Sequence, residues 1–240
     1  MNDDLEQLLR SLRLKRVAEI LDDELRKADE AGLPVEKLLA RLFRAEWQHR
    51  QDSALKWRIK SAGMPEEWTL ESFPFKKQPG VSQRQIRTLA ELDFIPKAEN
   101  IVLLGPTGVG KTGLASGLLL KALQNGHRGA FIKAQDLFDE MYASLADRST
   151  RKLLKHLSRL DLLVVDEMGY LNLKPEQTNI FFKLMHERYR RHPTIITTNL
   201  EYAEWHTFFG NAKLVDVIVK EAKAVAPLLA WVEKAVSGKR

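Results

Sequence analysis

The stretch Gly105-Pro106-Thr107-Gly108-Val109-Gly110-Lys111-Thr112 lies between a β-rich apolar run, Ile101–Leu104, and a second apolar run over 114–120. Its spacing matches G-x-x-x-x-G-K-[ST] in full. Glycines at 105, 108 and 110 let the backbone curl so that successive N–H groups point at one anion. A helix starting near Lys111 aims the positive end of its dipole at the same place. The pattern requires a strand, a tight turn and a helix, in that order. Residues 105–113, ending on Gly113, are the candidate cradle for ATP. Lys111 would reach the β- and γ-phosphates, and the Thr112 hydroxyl would ligate Mg²⁺.

Three further runs, Gly129–Lys133, 162–166 and Thr194–Thr198, have the same short β-rich character, with helical stretches between them. Such alternation predicts an α/β fold, a parallel sheet with helices on both faces. The third run closes on Asp166 and Glu167. An acid at the C-terminal end of a central strand sits beside the phosphate loop in an open parallel sheet. Asp166 is placed to orient the Mg²⁺ shell, and Glu167 to polarise an attacking water. The fourth run ends in Thr197, Thr198 and Asn199. These can set an amide or hydroxyl near the γ-phosphate, although the same residues also suit a simple turn. The catalytic candidates are Lys111, Glu167 and Asn199; the metal candidates are Thr112 and Asp166.

Upstream, Leu5, Leu8, Leu9, Leu12, Val17, Ile20, Leu21 and Leu25 recur at three- and four-residue steps, and Gly32 with Pro34 ends the pattern. That is helical periodicity. A second helical stretch runs from Pro34 to Gly63, with Leu38, Leu39, Leu42, Phe43, Trp47, Leu55 and Ile59 as its expected buried stripe. Residues 1–64 therefore read as a module of two or three helices. Residues 65–83, broken by Pro65, Pro74, Pro79 and Gly80, read as an ordered linker. Its Trp68, Phe73 and Phe75 are expected to dock on the domain that follows. That core covers 84–212, and 213–240 form a C-terminal segment.

Charge and composition narrow the partners. With 44% hydrophobic and 29% charged residues the chain is of ordinary globular composition. No stretch approaches the roughly 18 apolar residues of a membrane span. The absence of cysteine excludes disulfides, zinc ribbons and thiol catalysis. The acidic N-terminus lacks the layout of a signal peptide, which fits a cytoplasmic location. The net charge of +6 permits a polyanionic partner. Its cations gather in two places. Arg41, Arg44, Arg50, Lys56, Arg58 and Lys60 face only Glu46 and Asp52 within 41–60, and Arg148, Arg151, Lys152, Lys155 and Arg159 stand without an acid within 148–159. Each cluster suits either a solvated helix face or phosphate contacts. Arg50, Lys56, Arg58 and Lys60 are the first candidates for DNA, followed by Arg148, Arg151, Lys152 and Lys155.

These elements, in this order behind a helical module, resemble the AAA+ ATPases. The chain looks more closely like their IstB-like branch, relatives of DnaC-type helicase loaders that accompany insertion-sequence transposases. The likeness is carried by "LLGPTGVGKT", "LDLLVVDEMGYLNLKPEQTNIFFKLMHERYRR" and "TIITTNLEYAEWHTFFGNAKLVD", with "LRSLRLKRVAEIL" and "TLESFPF" upstream. It covers about residues 5–217. The resemblance implies a three-layer αβα P-loop core behind a small all-helical N-terminal domain that binds DNA or oligomerises. It implies ATP hydrolysis, ATP-dependent assembly as a ring or filament on duplex DNA with weak sequence specificity, target selection and stimulation of a transposase. A helicase-loading role is the alternative, and a nucleotide-binding protein that scarcely hydrolyses is a third. In that setting Trp68 and Phe73 would pack near the base, or serve only interdomain packing. After "FGNAKLVD" such proteins continue with a helix containing Asp-Arg, whose Arg is the natural arginine finger. Here the nearest position is Glu221, so hydrolysis is expected to be slow. Arg188, Arg190 and Arg191 are the substitutes.

Overall fold

The computed structural model describes residues 3–65, 68–78, 81–169, 171–210, 213–215 and 218. The chain divides into two compact units, Met1–Trp57 and Arg58–Arg240.

The first unit is helical. It holds α1 (Asp3–Ser11), α2 (Lys15–Glu30) and most of α3 (Val35–Ser61), and the division falls inside α3. Leu9, Val17, Leu21, Ala28, Leu38 and Leu42 form its core. The periodic run that begins at Leu5 does not make one helix. It breaks after Ser11, and Arg13 takes a left-handed φ of 57°. Glu46 explains the break from a distance. Its Oε2 accepts the N–H groups of Arg16 at 2.8 Å and Val17 at 3.2 Å, so an α3 carboxylate caps the start of α2. Arg50 Nε then binds Glu46 at 2.8 Å, and its Nη2 binds the Arg13 carbonyl at 3.0 Å. The expected α3 stripe needs correction. Leu38 and Leu42 are buried, but Phe43 is 55% and Trp47 59% exposed, and Val35 and Leu39 are exposed beside them. At four-residue steps these four share an outer face.

The second unit is the α/β core. Its elements are the end of α3, a 3₁₀ turn (Phe75–Lys77), α4 (Gln83–Ala90), β1 (Ile101–Leu104), α5 (Lys111–Gln124), β2 (Gly129–Lys133), α6 (Ala134–Ala146), α7 (Thr150–Leu157), β3 (Leu162–Met168), α8 (Pro175–Arg188), β4 (Thr194–Thr198) and α9 (Tyr202–Phe209). The four strands form one parallel sheet in the order β1-β4-β3-β2. Every expected strand is present; β3 runs two residues past Asp166, with a register irregularity between Val165 and Met168.

Strands buried on both faces are near-continuously apolar, which is why Leu162–Val165 and Ile195–Ile196 carry no polar alternation. One face packs on α6 and α8 through Leu137, Phe138, Met141, Phe181 and Leu184. Phe209 of α9 stacks on Phe181, and Trp205 meets Phe209 edge-on. The aromatic part of the Asn199–Gly210 motif is therefore core. Among the described residues no helix is long and apolar enough to cross a membrane.

Candidate nucleotide site

In a parallel sheet the C-terminal strand ends converge on one edge, and the strand order decides which loops meet there. Here β4 lies between β1 and β3. The phosphate loop after β1 and the acids of β3 therefore face each other across the end of β4. Gly105 N–H binds the Thr198 carbonyl at 3.2 Å, which ties the loop to that strand.

The loop has the geometry that its glycines predict. Gly108 and Gly110 have φ of 84° and 89°, and Gly110 is the N-cap of α5. Lys111 Nζ donates to the carbonyls of Gly105 at 2.7 Å and Pro106 at 2.9 Å. Burial pushes its ammonium below the ordinary lysine value, while the Asp166 and Glu167 carboxylates pull it back. The side chain that is to meet phosphates is thus held in the loop by carbonyl contacts, next to two anions.

Thr112 and Asp166 meet as expected. Thr112 Oγ1 lies 3.0 and 3.1 Å from the two carboxylate oxygens, and Asp166 is 1% exposed. A hydroxyl and a carboxylate on one edge are hard oxygen ligands of the kind Mg²⁺ takes, with phosphates and water supplying the rest. Among the described residues no group of three or more His, Cys, Asp or Glu forms a closed metal cage. The two oxygens fit a partly protein-bound Mg²⁺.

Thr197 was legible as a polar strand end, but its role comes from the fold. Its hydroxyl donates to Asp166 Oδ1 and accepts the Glu167 N–H at 2.9 Å. Glu167 itself has a φ of 60°, unusual for a residue with a side chain. The irregularity in β3 turns it out of the core to the edge of the site while Asp166 stays in. Lys133, at the end of β2 and in register with Asp166, places Nζ 3.7 Å from Glu167 Oε2. No sequence signal marks Lys133, because strand register brings the two together.

Asn199 lines the same cleft, and its Oδ1 is buried with no hydrogen-bond partner among the described residues. A Cβ on Gly169 would stand 2.9 Å from that oxygen and 2.6 Å from Leu200 Cγ. Only glycine, here at φ 120°, lets the chain leaving β3 pass Asn199 so closely.

The cleft has a volume of about 400 Å³ and is walled on the other side by Trp68, Phe73, Pro74 and Gln78. The linker aromatics thus dock as expected, through a ridge of glycines on the phosphate-loop helix. Phe73 packs over Gly110, Trp68 over Gly113 and Leu70 over Gly117, with ring or side-chain atoms 2.7, 3.4 and 2.6 Å from where each Cβ would stand.

The remaining candidates separate. Arg188 is not a finger: it is 1% exposed, and it binds the carbonyls of Leu157, Leu160 and Pro193 and the Thr194 hydroxyl. A buried strut cannot reach a neighbouring subunit. Arg190 and Arg191 are exposed, and Glu221 lies outside the described residues. Arg50 is bound as given above, and Arg58 Nε caps α5 at the Leu123 carbonyl, 3.0 Å away. Lys56 is exposed and Lys60 is exposed near the end of α3; Arg148, Arg151, Lys152 and Lys155 are all exposed around α7.

A phosphate loop, a hydroxyl–carboxylate pair and a Thr-Thr-Asn strand end on a β1-β4-β3-β2 parallel sheet define a P-loop protein of αβα fold. Solved structures agree on the fold. The AMPPCP-bound DnaA of Aquifex aeolicus superposes with a TM-score of 0.57 at 20% identity, covering 65% of this chain and 49% of that one. The DnaC helicase loader gives 0.56 at 23%, covering 64% and 93%. More particularly, the chain belongs to the IstB-like ATP binding protein family, which matches residues 7–224. It is 34% identical to the ATP-binding protein of insertion sequence IS21 from Pseudomonas aeruginosa over 90% of this chain and 82% of that one. To the corresponding protein of IS232 from Bacillus thuringiensis subsp. berliner it is 33% identical, over 88% and 84%.

Proposed function

We propose that this chain is a cytoplasmic, ATP-hydrolysing regulator of transposition that assembles on duplex DNA, selects the target and stimulates a partner transposase. The carrying observation is the linked set Thr112–Asp166–Thr197–Glu167, which joins the phosphate loop to an acid held at the site's edge. The names of the relatives, each the ATP-binding protein of an insertion sequence, supply the setting.

In this reading the loop amides of 105–113 and Lys111 bind the triphosphate, with Lys111 exchanging its carbonyl partners for phosphate oxygens. Mg²⁺ bound by Thr112 and Asp166 would neutralise charge developing on the phosphates. Glu167 accepts the proton of the attacking water, and Asn199, whose side chain lines the cleft, sets its amide group near the γ-phosphate and that water. Trp68 offers a flat apolar wall to the base. Assembly into a ring or filament is supported by the exposed Val35, Leu39, Phe43 and Trp47 of the first unit, an apolar row on a small helical body.

The test is ATP turnover with and without duplex DNA, in wild type and in Glu167→Gln. Turnover stimulated by DNA, lost by a factor of about 10²–10⁴ in the variant with nucleotide binding kept, is the expected result. Wild-type turnover at background, with or without DNA, would leave a nucleotide-binding protein that does not hydrolyse. Capture of a replicative helicase in place of the transposase in an ATP-dependent pull-down would assign the chain to helicase loading.

A further inference from the structure

The cations of this protein follow two regimes. Several helical cations pair with an acid one turn away: Arg10 with Glu6, Arg16 with Glu19, Arg26 and Lys27 with Asp23, Arg50 with Glu46. In the core, Arg128 does the same with Asp161 at 2.9 Å. Around α7 the pattern stops. Arg148, Arg151, Lys152, Lys155 and Arg159 form no ion pair among the described residues, and neither does Lys183 on the neighbouring helix α8.

The fold arranges these unpaired charges. Leu154 and Leu157 are the buried face of α7, which turns Arg151 and Lys155, one helical turn apart, outward. The groove between α7 and α8 is about 470 Å³ and is lined by Arg151, Lys155, Lys183, Thr150, Ser158 and Glu187, with Leu154 at its floor. Three cations stand there against one carboxylate. Thr150 Oγ1 is already bound to the Ser144 carbonyl at 3.0 Å, whereas Ser158 has no side-chain bond among the described residues. Beyond the groove, Arg148 and Arg159 flank α7 on either side of its helical residues, and both are exposed, as is Lys152. Within the helix, Arg151 and Lys155 stand about 6 Å apart along the axis.

From this geometry we infer that the α7–α8 groove seats the phosphodiester backbone of one DNA strand, with Lys183 and Ser158 completing a site that Arg151 and Lys155 begin. Cations of one sign in the groove and on both sides of it, with a free hydroxyl beside them, fit a uniformly charged polymer. Glu187 sits at the rim as an opposing charge and weakens the contact. The sequence puts Lys183 nearly thirty residues from the others, and only the packing of α8 on α7 joins them. This rests on the DNA-binding reading above and specifies where one contact lies.

The experiment measures binding of the full chain, with a non-hydrolysable ATP analogue, to labelled duplex and to single strands across a range of salt. Lys183→Ala should flatten the slope of log affinity against log salt by about 0.9 on duplex or about 0.7 on a single strand. Glu187→Gln should raise affinity several-fold at fixed salt, a gain that damage to the fold cannot produce. Wild-type binding with both variants indistinguishable from it would overturn the groove and leave the DNA-binding reading standing. No wild-type binding to either nucleic acid would overturn both. Tighter binding of an acidic polypeptide such as polyglutamate, weakened by the same Lys183 change, would overturn the assignment in favour of a protein partner.

Discussion

Thr197 shows how much one hydroxyl carries at this site. It donates to Asp166 and accepts from the Glu167 amide, so it fixes the buried carboxylate and the strained backbone of the catalytic candidate together. Thr197→Val keeps the β-branched shape a strand favours and removes both bonds. It should leave the sheet intact but cost about 1–3 kcal/mol, because a buried carboxylate and an amide lose a partner. Denaturant unfolding reads that cost, and the Mg²⁺ concentration for half-maximal turnover should rise. Unchanged Mg²⁺ dependence would mean that Thr197 is structural only. Thr197 was visible in the sequence as a polar strand end. That Asp166 points inward and Glu167 outward was not, since both follow the same apolar run and a backbone irregularity separates them.

At the scale of elements, the linker and α5 form a matched pair. Gly110, Gly113 and Gly117 recur at steps of three and four, so a strip of α5 has no side chains and the 68–75 segment lies directly on it. Intrinsic propensity argues for alanine in a helix interior by about 1 kcal/mol. At Gly117 packing opposes that preference: a Cβ would stand 2.6 Å from Leu70 Cδ2 and 3.2 Å from the Leu70 backbone nitrogen. Gly117→Ala should therefore destabilise, with overpacking of about 1–3 kcal/mol outweighing the helix gain. Thermal unfolding of Gly117→Ala, Leu70→Ala and the double variant checks it. The double variant should be more stable than the sum of the singles predicts, whereas strict additivity would refute direct contact. Docking of the linker was readable from its aromatics. The glycine strip that receives them was hidden because Gly110 and Gly113 already had a phosphate to explain them and Gly117 stood within an apolar run.

Across the whole molecule the two units depend on different interactions. The second has a large apolar core between sheet and helices. The first has six buried apolar side chains among the described residues and relies on the Glu46 cluster. Burial alone would raise the Glu46 pKa, but the hydrogen bond from Arg50 and those from the Val17 and Arg16 amides outweigh it and hold the carboxyl below its ordinary value. A lowered folded-state pKa stabilises fully above the unfolded value of about 4.5 and is lost as the pH falls through the folded value. Amide exchange at Arg16 and Val17, corrected for the intrinsic rate, should thus accelerate as the pH drops below 4.5 while that of β3 amides does not. Glu46→Gln should lose about 1–3 kcal/mol in the first unit at neutral pH and abolish this acid dependence. Equal acid sensitivity in the variant would place the titrating group elsewhere.

The sequence by itself determined the strand–loop–helix around Gly105–Thr112, the four strands and the parallel α/β class, and it marked the candidate nucleotide-site residues. Each is set by local periodicity or by a motif whose backbone demands are local. Tertiary structure decided the rest. It broke the first helical run at Arg13 through a carboxylate thirty residues away, turned Phe43 and Trp47 outward, buried Arg188, and brought Lys133 to Glu167 and Lys183 to Lys155. These outcomes depend on which face an element presents and on what lies opposite it. A carboxylate on α3, a strand register and the packing of α8 on α7 are relations between distant segments, and a one-dimensional pattern carries no term for them.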